Sequence, residues 1–314
     1  MNKYKLIFFL AFLCLNISIH AQKINVTSIQ QITNKNEGVF YYPRFSPDGK
    51  KIFFSGANFI GISYYDLVHG LIKKLNNSYG SGYGFSFSPD SKRIYYREDK
   101  IKNSKKISSI IVQEISTKKI TYLEKNKIGL SVPIITSEGN CFYTEAGNVH
   151  IISPKNKALS KTQIKNLAPI VFIENENLMV FINGEKKILD PLGSGSYLWP
   201  SLSPDKKKIL FTFAGDASYI CGLNGKILSN LGWANAPNWS PDGKWIAYMD
   251  DRSDGNNFKS SDIIAMSADG KNKFELTPEN EIIKLYPEWS PSGNKIVYHS
   301  LDGIIYLLQL NFSK

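Results

Sequence analysis

The sequence predicts an all-β fold: a seven-bladed β-propeller of four-stranded antiparallel blades, with six blades as the alternative. Three observations carry that expectation. A Pro-x-x-Ser-Pro-Asp-Gly-Lys motif recurs from one end of the chain to the other, each copy is flanked by short apolar runs, and successive copies start 42, 48, 36, 31, 37 and 50 residues apart. Spacings of this size suit a repeating four-stranded unit arranged around a ring. The fullest copy is Pro237-Asn-Trp-Ser-Pro-Asp-Gly-Lys-Trp-Ile-Ala-Tyr248. Its Asp242-Gly243 pair is a tight-hairpin signal, because glycine takes the positive φ that such a turn demands. Related copies begin at Pro43, Phe85, Pro200 and Pro287, and weaker ones at Pro133 and Pro169.

In chain order, residues 1–21 read as a secretory signal. Lys3 and Lys5 form a basic start, Leu6 to Leu15 is an apolar run too short to span a bilayer, and Ala21 offers a small residue before cleavage. Cys14 follows Leu13, where a lipoprotein signal requires a small residue. Residues 22–314 then form a single propeller domain, placed in the periplasm or outside the cell. Ile24 to Thr33 alternates loosely as one strand without a hairpin partner nearby. Repeats one, two, five and six each supply four strand-like runs. In repeat three the fourth run is Ala158 to Ile164, repeat four (Ala168 to Asp190) is short of an outer strand, and the last repeat ends after its third run. The unpaired N-terminal strand and the incomplete last repeat complement each other, and joining them closes the ring and removes two open edges.

Two residues after each repeat start stand Phe45, Phe87, Ile135, Val171, Leu202, Trp239 and Trp289, all apolar, as blade-to-blade packing requires. The net charge of +11 falls to +9 without the signal, and only Arg44, Arg93, Arg97 and Arg252 are arginines. Lysines spread over every repeat suit solubility and edge protection, and argue against nucleic acid as a partner. Cys141 and Cys221 lie in apolar runs of different repeats and are expected as buried free thiols.

The Pro-x-Trp-Ser-Pro-Asp-Gly-Lys-x-Ile-x-Tyr run at 237–248, followed by Ser261-Asp-Ile-Ile-Ala-Met-Ser-Ala-Asp-Gly270 and by Phe274-Glu-Leu-Thr277, resembles the repeats of TolB-like propellers. The resemblance extends over nearly all of residues 22–314. It implies a propeller used chiefly for protein–protein contact, and related propellers gate prolyl oligopeptidases or act as polysaccharide lyases. The α/β domain that precedes the propeller in TolB has no counterpart here, and the sequence contains no Gly-x-Ser-x-Gly nucleophile elbow.

Strand order places the first-to-second and third-to-fourth turns on one generic face. The loops leading into each first strand, and those joining second to third strands, lie on the other, and there the sequence is individual. Tyr79, Tyr83, Tyr197, Trp233 and Tyr286 are expected around the channel mouth, with Arg97, Asp250, Asp251, Arg252 and His299 beside them. No catalytic residue, cofactor or metal is assigned. His299 with two aspartates falls short of a metal set, and Asp250 to Asp254 lacks the spacing of a calcium loop. The expected function is an exported scaffold binding an envelope or secreted protein or peptide, without a transmembrane anchor. The alternatives are a propeller-type glycan lyase or hydrolase, using His299, Asp250, Asp251, Arg252 and Arg97, and a carbohydrate-binding module.

Overall fold

A computed structural model describes residues 23–155, 157–278 and 280–313; the expected signal at 1–21 lies outside them. Seven antiparallel sheets follow one another along the chain. After strand β1 (Lys23–Gln31), blade 1 holds β2 (Phe40–Phe45), β3 (Lys51–Gly56), β4 (Ile62–Asp66) and β5 (Leu71–Asn76). Blade 2 holds β6 (Ser86–Phe87), β7 (Arg93–Lys102), β8 (Lys105–Glu114) and β9 (Ile120–Lys127). Blades 3 and 4 have three strands each: β10 (Ile134–Ile135), β11 (Cys141–Glu145), β12 (Asn148–Ile152), then β13 (Ile170–Glu174), β14 (Asn177–Ile182), β15 (Glu185–Ile188). Blade 5 runs through β16 (Tyr197–Leu202), β17 (Lys208–Phe213), β18 (Ser218–Gly222) and β19 (Ile227–Gly232). Blade 6 runs through β20 (Asn235–Trp239), β21 (Trp245–Ser253), β22 (Phe258–Ser267) and β23 (Lys273–Glu275). Blade 7 has β24 (Lys284–Trp289), β25 (Lys295–Ser300) and β26 (Ile305–Ser313).

The outer place of blade 7 is taken by β1, antiparallel to β26 from Lys23 opposite Ser313 to Gln31 opposite Tyr306. The ring is therefore closed as the sequence implies, and the blade count is seven. Ile24 anchors the closing strand in the core beside Trp245, Leu308 and Leu310. Blade 4 lacks an outer strand, as expected. Blade 3 departs from expectation: its outer run contributes a single bridge from Ile152 to Ala158 and then turns helical at α1 (Lys161–Lys165). The cause is local. Ser160 and Gln163 form a capping box, each side chain accepting from the other residue's backbone N–H, which starts a helix where a strand would have continued.

The repeated motif has a hydrogen-bonding explanation. Ser46, Ser88, Ser203 and Ser240 are buried; each donates its hydroxyl to the aspartate two residues on and accepts the backbone N–H of the residue five on. The aspartate also accepts a backbone N–H at the far side of the turn. One serine and one carboxylate thus satisfy the donors a tight turn leaves orphaned. Turn glycines face prolines of neighbouring blades, Gly49 toward Pro291, Gly293 toward Pro241 and Gly243 toward Pro204, so the motif also joins blade to blade on the generic face. Of the seven positions assigned to blade packing, Phe45, Val171, Trp239 and Trp289 are buried and Phe87, Ile135 and Leu202 pack half-buried. Cys141 and Cys221 are buried free thiols, and burial pushes both up, to about 12 and about 11.

Candidate functional site: an aromatic arc at the propeller mouth

Four inner strands carry the same irregularity. In β2, β16, β20 and β24 the pairs Tyr42-Pro43, Trp199-Pro200, Ala236-Pro237 and Tyr286-Pro287 each stand where the partner strand offers one residue, respectively Phe54, Phe211, Tyr248 and Tyr298. This is a β-bulge built on proline, which has no N–H to give the ladder. The residue before each proline has positive φ: 53° at Tyr42, 48° at Trp199, 46° at Ala236 and 53° at Tyr286. Such backbone costs a non-glycine residue on the order of 1–2 kcal/mol. Its effect here is to re-aim Tyr42, Trp199 and Tyr286 toward one another. Blade 2 has Gly84 in the corresponding place, at φ 67°, where a Cβ would press on the Val132 side chain at 3.0 Å.

The result is a run of touching rings on the mouth face. Tyr83 meets Phe59 edge-on at 5.1 Å between centroids, Phe59 stacks on Tyr42 at 5.2 Å, Tyr42 meets Tyr286 edge-on at 4.6 Å, and Tyr286 reaches Trp199 at 6.2 Å. Arg97 extends the run, its guanidinium 5.9 Å from the Tyr83 centroid. Edge-to-face and cation–π geometries of this kind hold rings in fixed relative positions. Burial pushes the Tyr42 and Tyr286 phenols above their usual range, so both stay protonated as donors near neutral pH. The two longest hairpins, β7–β8 in blade 2 and β21–β22 in blade 6, rise on this face at either side of the arc.

His299 lies under the arc, 2% exposed, stacked on Tyr286 at 5.5 Å and touching the rings of Tyr41 and Tyr42. Its Nδ1–H donates to the Ser300 carbonyl at 2.9 Å, leaving Nε2 without a partner among the described residues. Burial pushes the imidazole down to about 4. Below it the channel wall is polar on one side: Arg44 Nε is 3.5 Å from Glu288, and Asn238 donates to the same carboxylate at 3.4 Å. Burial raises the Glu288 carboxyl, opposed by the Arg44 charge. Arg44 also borders a 450 Å³ space of mixed lining, with Val132, Ile134, Ala168 and Ile170 beside Ser86, Ser201 and Lys206.

The expected site residues separate into those that join this surface and those that do not. Tyr83, Tyr286, Arg97 and His299 come together with Tyr42, Phe59 and Trp199, which the sequence reading did not single out. Tyr79 is exposed, with its carbonyl accepting the Asp99 N–H. Trp233 is 44% exposed and donates its indole N–H to the Asp251 carbonyl. Tyr197 is a correction to the expected placement. It is fully buried against Phe211 and Phe213, and its hydroxyl donates toward Asp190 and the Gly193 carbonyl and accepts the Leu192 N–H.

The expected His299–aspartate grouping is not assembled. Asp251 is buried and accepts from Asn235 at 2.8 Å, Asp250 faces the other way and pairs with exposed Arg252 at 3.0 Å, and neither bonds to His299. Arg97 is committed bidentately to Asp99 and to the Leu130 carbonyl. Burial of Asp99 works against ionisation, but hydrogen bonds from Lys106 and Ser108 and the Arg97 charge hold its carboxyl below the usual range. Among the described residues no three His, Cys, Asp or Glu side chains gather as a metal set, and no helix is long and apolar enough to cross a membrane.

Fold and mouth together define a seven-bladed β-propeller with an aromatic opening. No protein-family profile matches the chain. An uncharacterized protein of Agrobacterium fabrum is 26% identical over 117 residues, spanning 34% of this chain and 37% of that protein. Among solved structures, an oligogalacturonate lyase in complex with manganese and an oligogalacturonate lyase from Vibrio parahaemolyticus each align with TM-score 0.62 and 13% identity, over 92% of this chain and 96% of theirs. TolB from Acinetobacter baumannii aligns with TM-score 0.46 and 18% identity, over 88% of this chain and 64% of its own. At these identities the likeness concerns the fold.

Proposed function

We propose that the protein is an exported binding propeller, TolB-like in its repeats, that takes an extended peptide or protein segment across the aromatic arc of its mouth. The observation carrying this reading is the unbroken run Tyr83–Phe59–Tyr42–Tyr286–Trp199, four of whose members, all but Tyr83, have positive-φ backbone. Positive φ also occurs in many turns of this chain, but in the arc it falls on bulky aromatic residues, where it is least expected and where an outlier motivates a functional hypothesis. Tyrosine, tryptophan and arginine are also the side chains that dominate binding energy at interfaces. Arg97 and the flanking hairpins would supply the polar rim.

A second reading, an oligosaccharide ligand with or without turnover, is supported by the oligogalacturonate lyases that share the fold and by the affinity of aromatic faces for C–H groups. One experiment separates the two. Residues 22–314 are presented with an extended-peptide library and, separately, with oligogalacturonate, following affinity and the release of unsaturated product. Peptide capture lost on Tyr286→Ala supports the first reading. Affinity or turnover with oligogalacturonate alone replaces it with the second, and peptide capture unaffected by Tyr286→Ala moves the contact away from the mouth.

A further inference from the structure

A second candidate site lies away from the mouth, between blades 1 and 2 toward the generic face. A cleft of 950 Å³ opens there. Four chain segments bring cations to it: Lys51 at the start of β3, Lys73 and Lys74 on β5, Lys92 and Arg93 after the blade 2 turn, and Lys118 beyond β8. Three carboxylates share the cleft, and each is already engaged. Asp66 accepts the Val68 and His69 backbone N–H groups and faces His69 Nδ1 at 3.1 Å. Asp90 takes the Ser88 hydroxyl and the Lys92 N–H, and Glu114 takes the Thr117 hydroxyl at 2.6 Å. Among the described residues, none of the six cations is within ion-pair distance of a carboxylate, although lysines elsewhere, such as Lys100, Lys106, Lys127 and Lys186, are paired.

From this arrangement we propose that the cleft binds a compact multivalent oxyanion of the condensed-phosphate class. The charge is concentrated where lysines spread evenly for solubility would leave none in excess. Its chemistry selects among anions. Five of the six cations are ammonium groups, point charges on flexible stems that can converge on a small, highly charged ion. The one guanidinium, Arg93, is directed to the Pro154 carbonyl at 3.4 Å, so the fork that suits a planar carboxylate is partly occupied. The recess is concave and bounded by two blades, which suits a soluble anion better than a flat charged surface. The proposal is independent of the ligand at the mouth.

Calorimetry of the purified protein with inorganic tripolyphosphate tests it, with citrate as the carboxylate comparison. Tripolyphosphate is expected to bind one-to-one, at least tenfold more tightly than citrate, and to weaken as salt rises. The double variant Lys73→Glu/Lys92→Glu should weaken it at least tenfold. Lys207→Glu/Lys226→Glu, the same charge change on exposed lysines of blade 5, should change it less than twofold. Both variants alter exposed side chains, and equal melting temperatures would verify their folding. If phosphatidic acid vesicles are bound more tightly than tripolyphosphate and Lys73→Glu/Lys92→Glu abolishes that binding, the anion is a phosphomonoester headgroup and the condensed-phosphate assignment is overturned. Absence of tripolyphosphate binding, equal affinity for citrate, or equal losses in the two double variants would overturn the assignment.

Discussion

Tyr42 and Tyr286 meet edge to face at 4.6 Å between ring centroids, one from the first blade and one from the last, each sitting before a proline with φ of 53°. The seam where the ring closes is thus also the centre of the candidate binding surface. Tyr286→Ala should weaken capture of the mouth ligand by about 2 kcal/mol, roughly thirtyfold, as for a central interface tyrosine. Titration of wild type and variant against the peptide selected by library panning checks this. An affinity unchanged within twofold would remove Tyr286 from the contact.

The bulge can be examined without disturbing the arc. Ala236 occupies the same backbone position in blade 6, at φ 46°, with only a methyl group to lose. Ala236→Gly should stabilise the fold by about 1 kcal/mol, since relief of the unfavourable φ outweighs the added freedom of the unfolded chain. A higher urea midpoint at unchanged slope is the expected result.

His299 sets a pH dependence. Its folded value near 4 lies below the ordinary 6.5 because burial disfavours the charged ring. Above pH 6.5 both folded and unfolded forms are neutral, and its contribution is fully present. As pH falls, the unfolded chain takes up the proton first, so stability is lost from about pH 6.5 down to about pH 4. Between pH 7 and pH 5 the loss should be about 2 kcal/mol. His299→Phe should flatten that part of the urea-midpoint profile; a profile identical to wild type would mean that other groups govern it.

Closure by β1 is testable through Ile24, which is 5% exposed. Ile24→Ala should cost about 2–4 kcal/mol. Removing residues 23–31 should do more, exposing the whole edge of β26 and producing oligomers on size-exclusion chromatography. A monomeric truncation with an unchanged melting temperature would show that the ring holds without its closing strand.

The architecture was readable in the sequence because the turn motif fixes its own hydrogen bonds: wherever Ser-Pro-Asp recurs, a strand must end and another begin. The site was readable only in part. Tyr83, Arg97 and Tyr286 were found through their loops, but Tyr42 and Trp199 reach the mouth through a bulge that strand alternation alone does not reveal. Tyr197 shows the reverse case. It lies two residues before Trp199 in the same glycine-rich stretch, yet it points into the core, because the bulge re-aims only the residue next to the proline. Aligning the residue before each repeat proline would have drawn out Tyr42, Trp199 and Tyr286 together. The helix in blade 3 stands where a strand was expected from Ala158 to Ile164; the signal that could have found it is Ser160 and Gln163 at capping-box spacing.

Lys23 is registered against Ser313, so the clasp is the earliest described segment to be synthesised and the last to find its place. While the chain emerges, this strand has no partner, and the final blade has no outer neighbour until the far end arrives. Completion of the circle is therefore a late, long-range step, open to slow kinetics and to exchange of the clasp between two chains at high concentration. It also leaves Lys23 and Ser313 side by side on one rim, where a short tether between them could close the described chain and a new opening be cut at another blade.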